Sequence, residues 1–200
     1  SKYSKNVYGI SHFIEHLGFR CPKDYSTDEF MAHLRNDGTF NASTDYDRIN
    51  YWFKTNMENI DLGIKLFCNF AFNTLENINE EEFQMERKVV YNEAKRYPDD
   101  DQTMFWFNTI GALCDYSRED NVISTPEIIE TYALEDCIRI KDIFLTSGEN
   151  TFNITYDPAI LTPQEILSKI TLEMSRFKPI GQNKISKEEY LSFTKLPRTG

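Results

Sequence analysis

The stretch GISHFIEHLGF, residues 9 to 19, holds two of the three histidines in this 200-residue chain, His12 and His16, with Glu15 between them. On a helix, residues four apart lie ~40° from one another around the axis, so the two imidazoles point the same way, one turn apart. Two imidazoles so placed can bind one metal ion. Glu15, three residues after His12, lies ~60° to the other side. From there it flanks a bound ion rather than filling a coordination position. A carboxylate in that place can hold a metal-bound water and take its proton as the water attacks a carbonyl. The plainer alternative is an amphipathic helix that happens to carry two histidines.

A catalytic zinc takes a third protein ligand and leaves its last position to water. His33, the remaining histidine, sits among charged neighbours and reads as a solvated surface residue. The helix expected after Asn79 is a better source. There Glu86 and Glu93 are seven residues apart and share a face, with Val89, Val90 and Tyr97 placing apolar side chains close to it. A buried acid needs a partner, because an unpaired buried charge is expensive. Zinc or a ligating histidine would be such a partner. Ion pairs to Arg87, Lys88 or Lys95 on a solvated face would serve as well, and these residues alone leave both readings open.

These side chains need elements to hold them. The first helix is expected over residues 10–17, with Gly18 as its stop. A second opens at Ser26, where Glu29 stands at capping-box spacing, and buries Phe30, Met31 and Leu34. Phe40, Ala42 and Thr44 then alternate with polar residues, and residues 49–53 are β-branched and aromatic. With DYDR between them they read as two strands joined by a turn. Helix returns at about residues 58–72. NEEEFQMERKVVYNEAKRYP is the best-marked helix: Asn79 caps it, three glutamates suit its positive end, and Pro98 ends it. Further helices are expected at about 103–114, 126–131, 134–145 (stopped by Gly148) and 163–177, with a strand at TFNITYD, residues 151–157. The fold class is α+β, an antiparallel sheet covered by helices. Three strands are thin for so many helices, so the first strands of the sheet are expected before Ser1 or from a partner.

The bulk composition narrows the function. Thirty-two acidic residues against 22 basic ones give a net charge of −10. Such a chain lacks the basic footprint that nucleic acid and anionic membrane surfaces require. No apolar run reaches the length of a membrane span, and the first residues lack the apolar core of a signal peptide. Cys21, Cys68, Cys114 and Cys137 are far apart and form no C-x-x-C pair. They read as buried free thiols in a reducing, cytoplasmic setting. The terminal LPRTG has the form of a sortase signal, but no apolar segment follows it, and it reads as linker.

With both elements in view, the chain resembles the pitrilysin/insulinase zinc metallopeptidases, hydrolases with the H-x-x-E-H order that inverts the commoner H-E-x-x-H. GISHFIEHLGF matches the family's histidine helix. Its ligand glutamate follows the second histidine after 76 intervening positions; here residues 17 to 92 are those 76, and the next is Glu93. GTFNASTDYDRINYWF is similar to the family's G-x-x-N-A-x-T segment and the strand after it, and Glu86 matches the acid seven residues before the ligand. The resemblance covers roughly residues 7–177. It implies one zinc ion held by His12, His16 and Glu93, with Glu15 as general base. It further implies that Glu86 hydrogen-bonds a ligand histidine and fixes its tautomer, and that Asn41 and Ala42 lie on an edge strand that binds peptide through main-chain bonds. For Asn41, satisfying nearby backbone at a strand end is the alternative.

The expectation is therefore a zinc-dependent endopeptidase acting on short or unfolded polypeptides. Residues 1–177 would form the metallopeptidase-like domain and 178–200 a linker or tail. Family members pair this domain with a second similar one that contributes an arginine and a tyrosine near the substrate, and nothing here matches those residues. A second homologous domain or subunit, or a homo-oligomer, is expected for full activity. The competing expectation is a catalytically silent assembly subunit of the same fold.

Overall fold

The computed structural model describes residues 9–45, 48–114, 122–146, 150–177 and 179. The chain runs α1 (Ile10–Leu17), α2 (Thr27–Asn36), β1 (Gly38–Thr44), β2 (Ile49–Thr55), α3 (Ile60–Ala71), α4 (Glu80–Arg96), α5 (Asp101–Cys114), α6 (Pro126–Ile129), α7 (Leu134–Thr146) and α8 (Pro163–Met174). Short 3-10 turns lead into α3 and out of α4. The described fold is thus mostly helical around one antiparallel pair of strands, in which Ala42 faces Tyr51 and Asn41 faces Trp52.

Local sequence accounts for most boundaries. Gly9 stands at the N-cap of α1 with φ 69°, and a Cβ there would come within 2.5 Å of Ser124 Cβ, so glycine alone fits. Ser26 and Glu29 close the expected capping box on α2, Glu29 N donating to Ser26 Oγ and Ser26 N to Glu29 Oε2. Asn79 Oδ1 accepts from Glu82 N at 2.9 Å and starts α4. Thr162 and Glu165 form a second capping box on α8.

Three apolar clusters hold these pieces. The largest sits between α1 and α4: Phe13, Ile14 and Leu17 meet Phe83, Val90 and Ala94, with Ile129, Tyr132 and Ile140 closing it. Phe13 stacks on Tyr132 and meets Phe83 edge-on. The second lies under the sheet, where Phe30, Leu34, Leu66 and Phe70 receive Phe40, Ala42, Tyr51 and Phe53. The third joins Cys68, Phe72 and Leu145 to Phe152 and Phe177.

One expected element is absent. Residues 151–157 form no strand, and the described sheet has two strands rather than three. Alternation yields a strand only beside a neighbour that completes its hydrogen bonds, and β1 and β2 pair with each other. Phe152 is instead held by aromatic packing, with Phe72 at 5.6 Å and Phe67 at 5.4 Å between ring centroids. The stop at Gly148, part of the DYDR turn, and the 178–200 tail apart from Pro179 lie outside the described residues. No described helix is long and apolar enough to cross a membrane. Cys21, Cys68 and Cys137 are free thiols, the last two buried.

Candidate metal centre

Packing α1 against α4 brings His12, His16 and Glu93 together. One donor atom from each lies within 4.8 Å of the other two. His16 Nε2 is 3.4 Å from Glu93 Oε2, and His12 Nε2 is 4.0 Å from Glu93 Oε1. The rings stand nearly perpendicular, 73° apart, with centroids at 4.7 Å. Donors about 2.0–2.1 Å from a tetrahedral ion sit ~3.4 Å from one another, so the His16–Glu93 separation already matches zinc and the wider ones would close in around a bound ion.

Around this trio each side chain has a distinct environment. Burial, reinforced by the neighbouring His16, pushes His12 down to about 4, so its imidazole is neutral, the form that binds metal. Its Nδ1 is buried with no hydrogen-bond partner among the described residues. Burial works against charge on His16 too, but hydrogen bonds to Glu86 and Glu93 outweigh it and hold that ring up to about 9. The bond to His16 draws Glu93 down to about 2. A divalent cation would take over the positive charge that His16 carries between two carboxylates.

Glu86 faces His16 from α4. Its Oε1 is 2.8 Å from His16 Nδ1, and the residue is 4% exposed. Burial raises its carboxyl, but the bonds to His16 and Arg20 hold it below the ordinary range. Among the described residues its ion-pair partners are Arg20 and His16, not Arg87, Lys88 or Lys95.

Glu15 faces the same cleft and is 7% exposed. Burial raises its carboxyl above the ordinary range, against a 2.5 Å hydrogen bond that Thr44 Oγ1 donates to its Oε2. Asn41 and Ala42 line the cleft on β1, whose outer edge has no ladder partner among the described residues. Asn41 Oδ1 accepts from Ala42 N at 3.0 Å, a local backbone contact. His33 pairs with Asp37 at 3.0 Å, outside the metal-binding group. The cleft, about 1010 Å³, is walled by Phe19, Met31 and Phe40 on one side and by Trp106, Phe107 and Ile110 of α5 on the other.

Three contributors escaped the sequence reading. Thr44 ends the N-A-x-T run, and its alternation with Phe40 and Ala42 gave no reason to aim it at Glu15. Tyr97 Oη donates to Glu93 Oε1 at 3.0 Å; the four-residue step from Glu93 was the available signal. Arg20 lies just past α1 in a turn, where no periodicity applies.

A model of insulinase (peptidase family M16) matches residues 2–109. The chain belongs to this family. Zinc protease PqqE of Helicobacter pylori is 38% identical over 88 residues, which is 44% of this chain and 19% of that protein. An uncharacterized zinc protease of Rickettsia bellii is 23% identical over 181 residues, covering 86% of this chain and 43% of that one. The crystal structure of a protease from Helicobacter pylori superposes with a TM-score of 0.69 at 23% identity, over 90% of this chain and 43% of that chain, and shows the fold. The insulinase-family chain described here thus spans less than half the length of these relatives.

Proposed function

We propose that this chain carries the metal centre of a zinc-dependent endopeptidase acting on short or unfolded polypeptides. It would work with a second homologous domain or subunit, or a further copy of itself. The observation that carries the reading is the convergence of His12, His16 and Glu93 with Glu15 in one cleft. One zinc ion would be held by those three ligands and, when bound, supplies a Lewis acid for the peptide carbonyl and acidifies a bound water.

The chain's own groups do the rest. Thr44 occupies Glu15 Oε2, leaving Oε1 to accept a proton from water and return it to the leaving amine. Burial raises the Glu15 carboxyl above its ordinary range, the direction that favours a group that must both take and give a proton. The outer edge of β1 at Asn41 and Ala42 offers main-chain groups to an extended peptide, a mode with relaxed sequence preference. The apolar cleft walls exclude water from side chains on either side of the scissile bond.

Metal analysis and a peptide-hydrolysis assay test this. The protein should hold one zinc per chain. Glu15→Gln should keep the zinc and lose hydrolysis by at least ~10²-fold. Undiminished hydrolysis by Glu15→Gln would remove that residue's role, and absence of zinc, with folding indifferent to chelator, would favour the silent assembly subunit.

A further inference from the structure

We infer that Arg20 is a positioning residue of the metal centre: it clamps Glu86 so that this carboxylate accepts from His16 Nδ1 and presents His16 Nε2 to the metal. The inference rests on the zinc reading above.

Arg20 is itself built into place. After α1, Phe19 N donates to His16 O at 3.2 Å and Arg20 N to Leu17 O at 2.9 Å. The buried Asn73 side chain pins this turn from below, its Nδ2 donating to Gly18 O at 3.2 Å and Arg20 O at 2.8 Å, while its Oδ1 accepts from Leu75 N. From this fixed backbone the guanidinium reaches α4 at two points. Nε and Nη2 meet Glu86 Oε2 at 2.6 and 2.5 Å, and Nη1 meets Glu82 Oε2 at 3.3 Å. Glu82 and Glu86 are one helical turn apart, so the fork spans successive turns of the ligand helix.

The consequence follows from donor and acceptor polarity. A guanidinium has five N–H donors and no acceptor. Glu86 Oε2 therefore accepts, and Oε1 is the oxygen facing His16 Nδ1 at 2.8 Å. Nδ1 then has to donate, so the proton that a metal would displace is the one on Nε2, the nitrogen directed at Glu93. Without Arg20, the Glu86 carboxylate is free to rotate away from His16 Nδ1, and nothing then holds the ring with Nε2 turned to the metal. Burial separates this pair from an ordinary surface ion pair: the side chains are 21% and 6% exposed. Arginine presents a rigid planar fork to the two glutamates, where lysine would offer a single point charge on a flexible stem.

The test uses the full 200-residue chain and a zinc competition titration against a chromogenic chelator. Arg20→Met should weaken zinc ~10–100-fold, the usual cost of losing an outer partner of a ligand, and Arg20→Lys should fall between the two. In a Glu86→Gln background, Arg20→Met should change affinity less than about two-fold, because the arginine acts through that carboxylate. NMR of the zinc-loaded protein should show a slowly exchanging His16 Nδ1–H that exchanges faster in Arg20→Met. Affinity of Arg20→Met within two-fold of the parent, or an equal loss in both backgrounds, overturns the inference. Should Arg20→Met not fold, Arg20→Lys decides, and parental affinity there overturns it. A parent chain that binds no zinc overturns the functional reading together with this one; a parent that binds tightly beside an unaffected Arg20→Met removes Arg20 alone.

Discussion

Glu15 and Glu93 are the same residue type beside the same histidines, and their surroundings drive them apart. Glu93 hydrogen-bonds His16 and stays ionised, as the proposed ligand role requires. Glu15, desolvated and given one hydroxyl donor, is raised toward the range of a useful base. Pairs of acids pushed in opposite directions mark acid–base assignments generally. Lys141, 2% exposed on α7, donates to Tyr51 Oη at 3.2 Å and Ala71 O at 3.1 Å; among the described residues no carboxylate hydrogen-bonds it, and the Glu15 charge only partly offsets its burial. Burial pushes it from 10.5 down to about 7. The unfolded chain keeps this lysine protonated up to its ordinary value, so burying it costs most below about pH 7, and the cost fades as pH rises from there to 10.5. Lys141→Met should therefore stabilise the protein by ~1–3 kcal/mol at pH 6 and lose that advantage by pH 10, measured by urea unfolding at both. Equal destabilisation at the two pH values would contradict it.

At the scale of elements, α4 is the member on which the site depends. It places Glu82, Glu86, Glu93 and, through the turn that follows it, Tyr97 along one face toward α1. Its start depends on Asn79. Asn79→Ala should cost ~1 kcal/mol in unfolding free energy. Zinc affinity should change less than two-fold, since Glu86 and Glu93 lie about two and four turns from the cap. A large loss of affinity would mean that fraying reaches the site. The stretch 151–157 shows the opposite dependence: its alternation supports no strand without an adjacent edge, and Phe152 packing fixes it instead.

At the scale of the molecule, the proposed ligands come from two helices far apart in sequence that share the largest apolar cluster. A metal that binds only the folded arrangement ties α1 to α4. Free zinc at 100 times its Kd should add ~2.7 kcal/mol of stability. Chelator should accordingly lower the thermal midpoint by several degrees in a melting experiment. An unchanged midpoint would mean that zinc does not bridge the two helices.

Much of this was legible in the residues. The 10–17 helix, both caps and the strand pair rest on local signals: Gly18 after the last periodic residue, Ser and Asn before acidic turns, alternation about a tight connection; the φ of 69° at Gly9 came only with the fold. His12, His16 and Glu15 share a helix, so their relation follows from 3.6 residues per turn, and the same arithmetic relates Glu86 to Glu93. Neither count says that the two faces meet, and the spacing of 76 carried meaning only through a family resemblance. Packing decided what distance along the chain leaves free: Glu86 pairs with Arg20 and His16 rather than with its own helix, and Thr44 bonds Glu15 across 29 residues. Hydrogen-bond polarity and desolvation depend on which side chains share a buried volume, and only the folded core of α1 against α4 sets that.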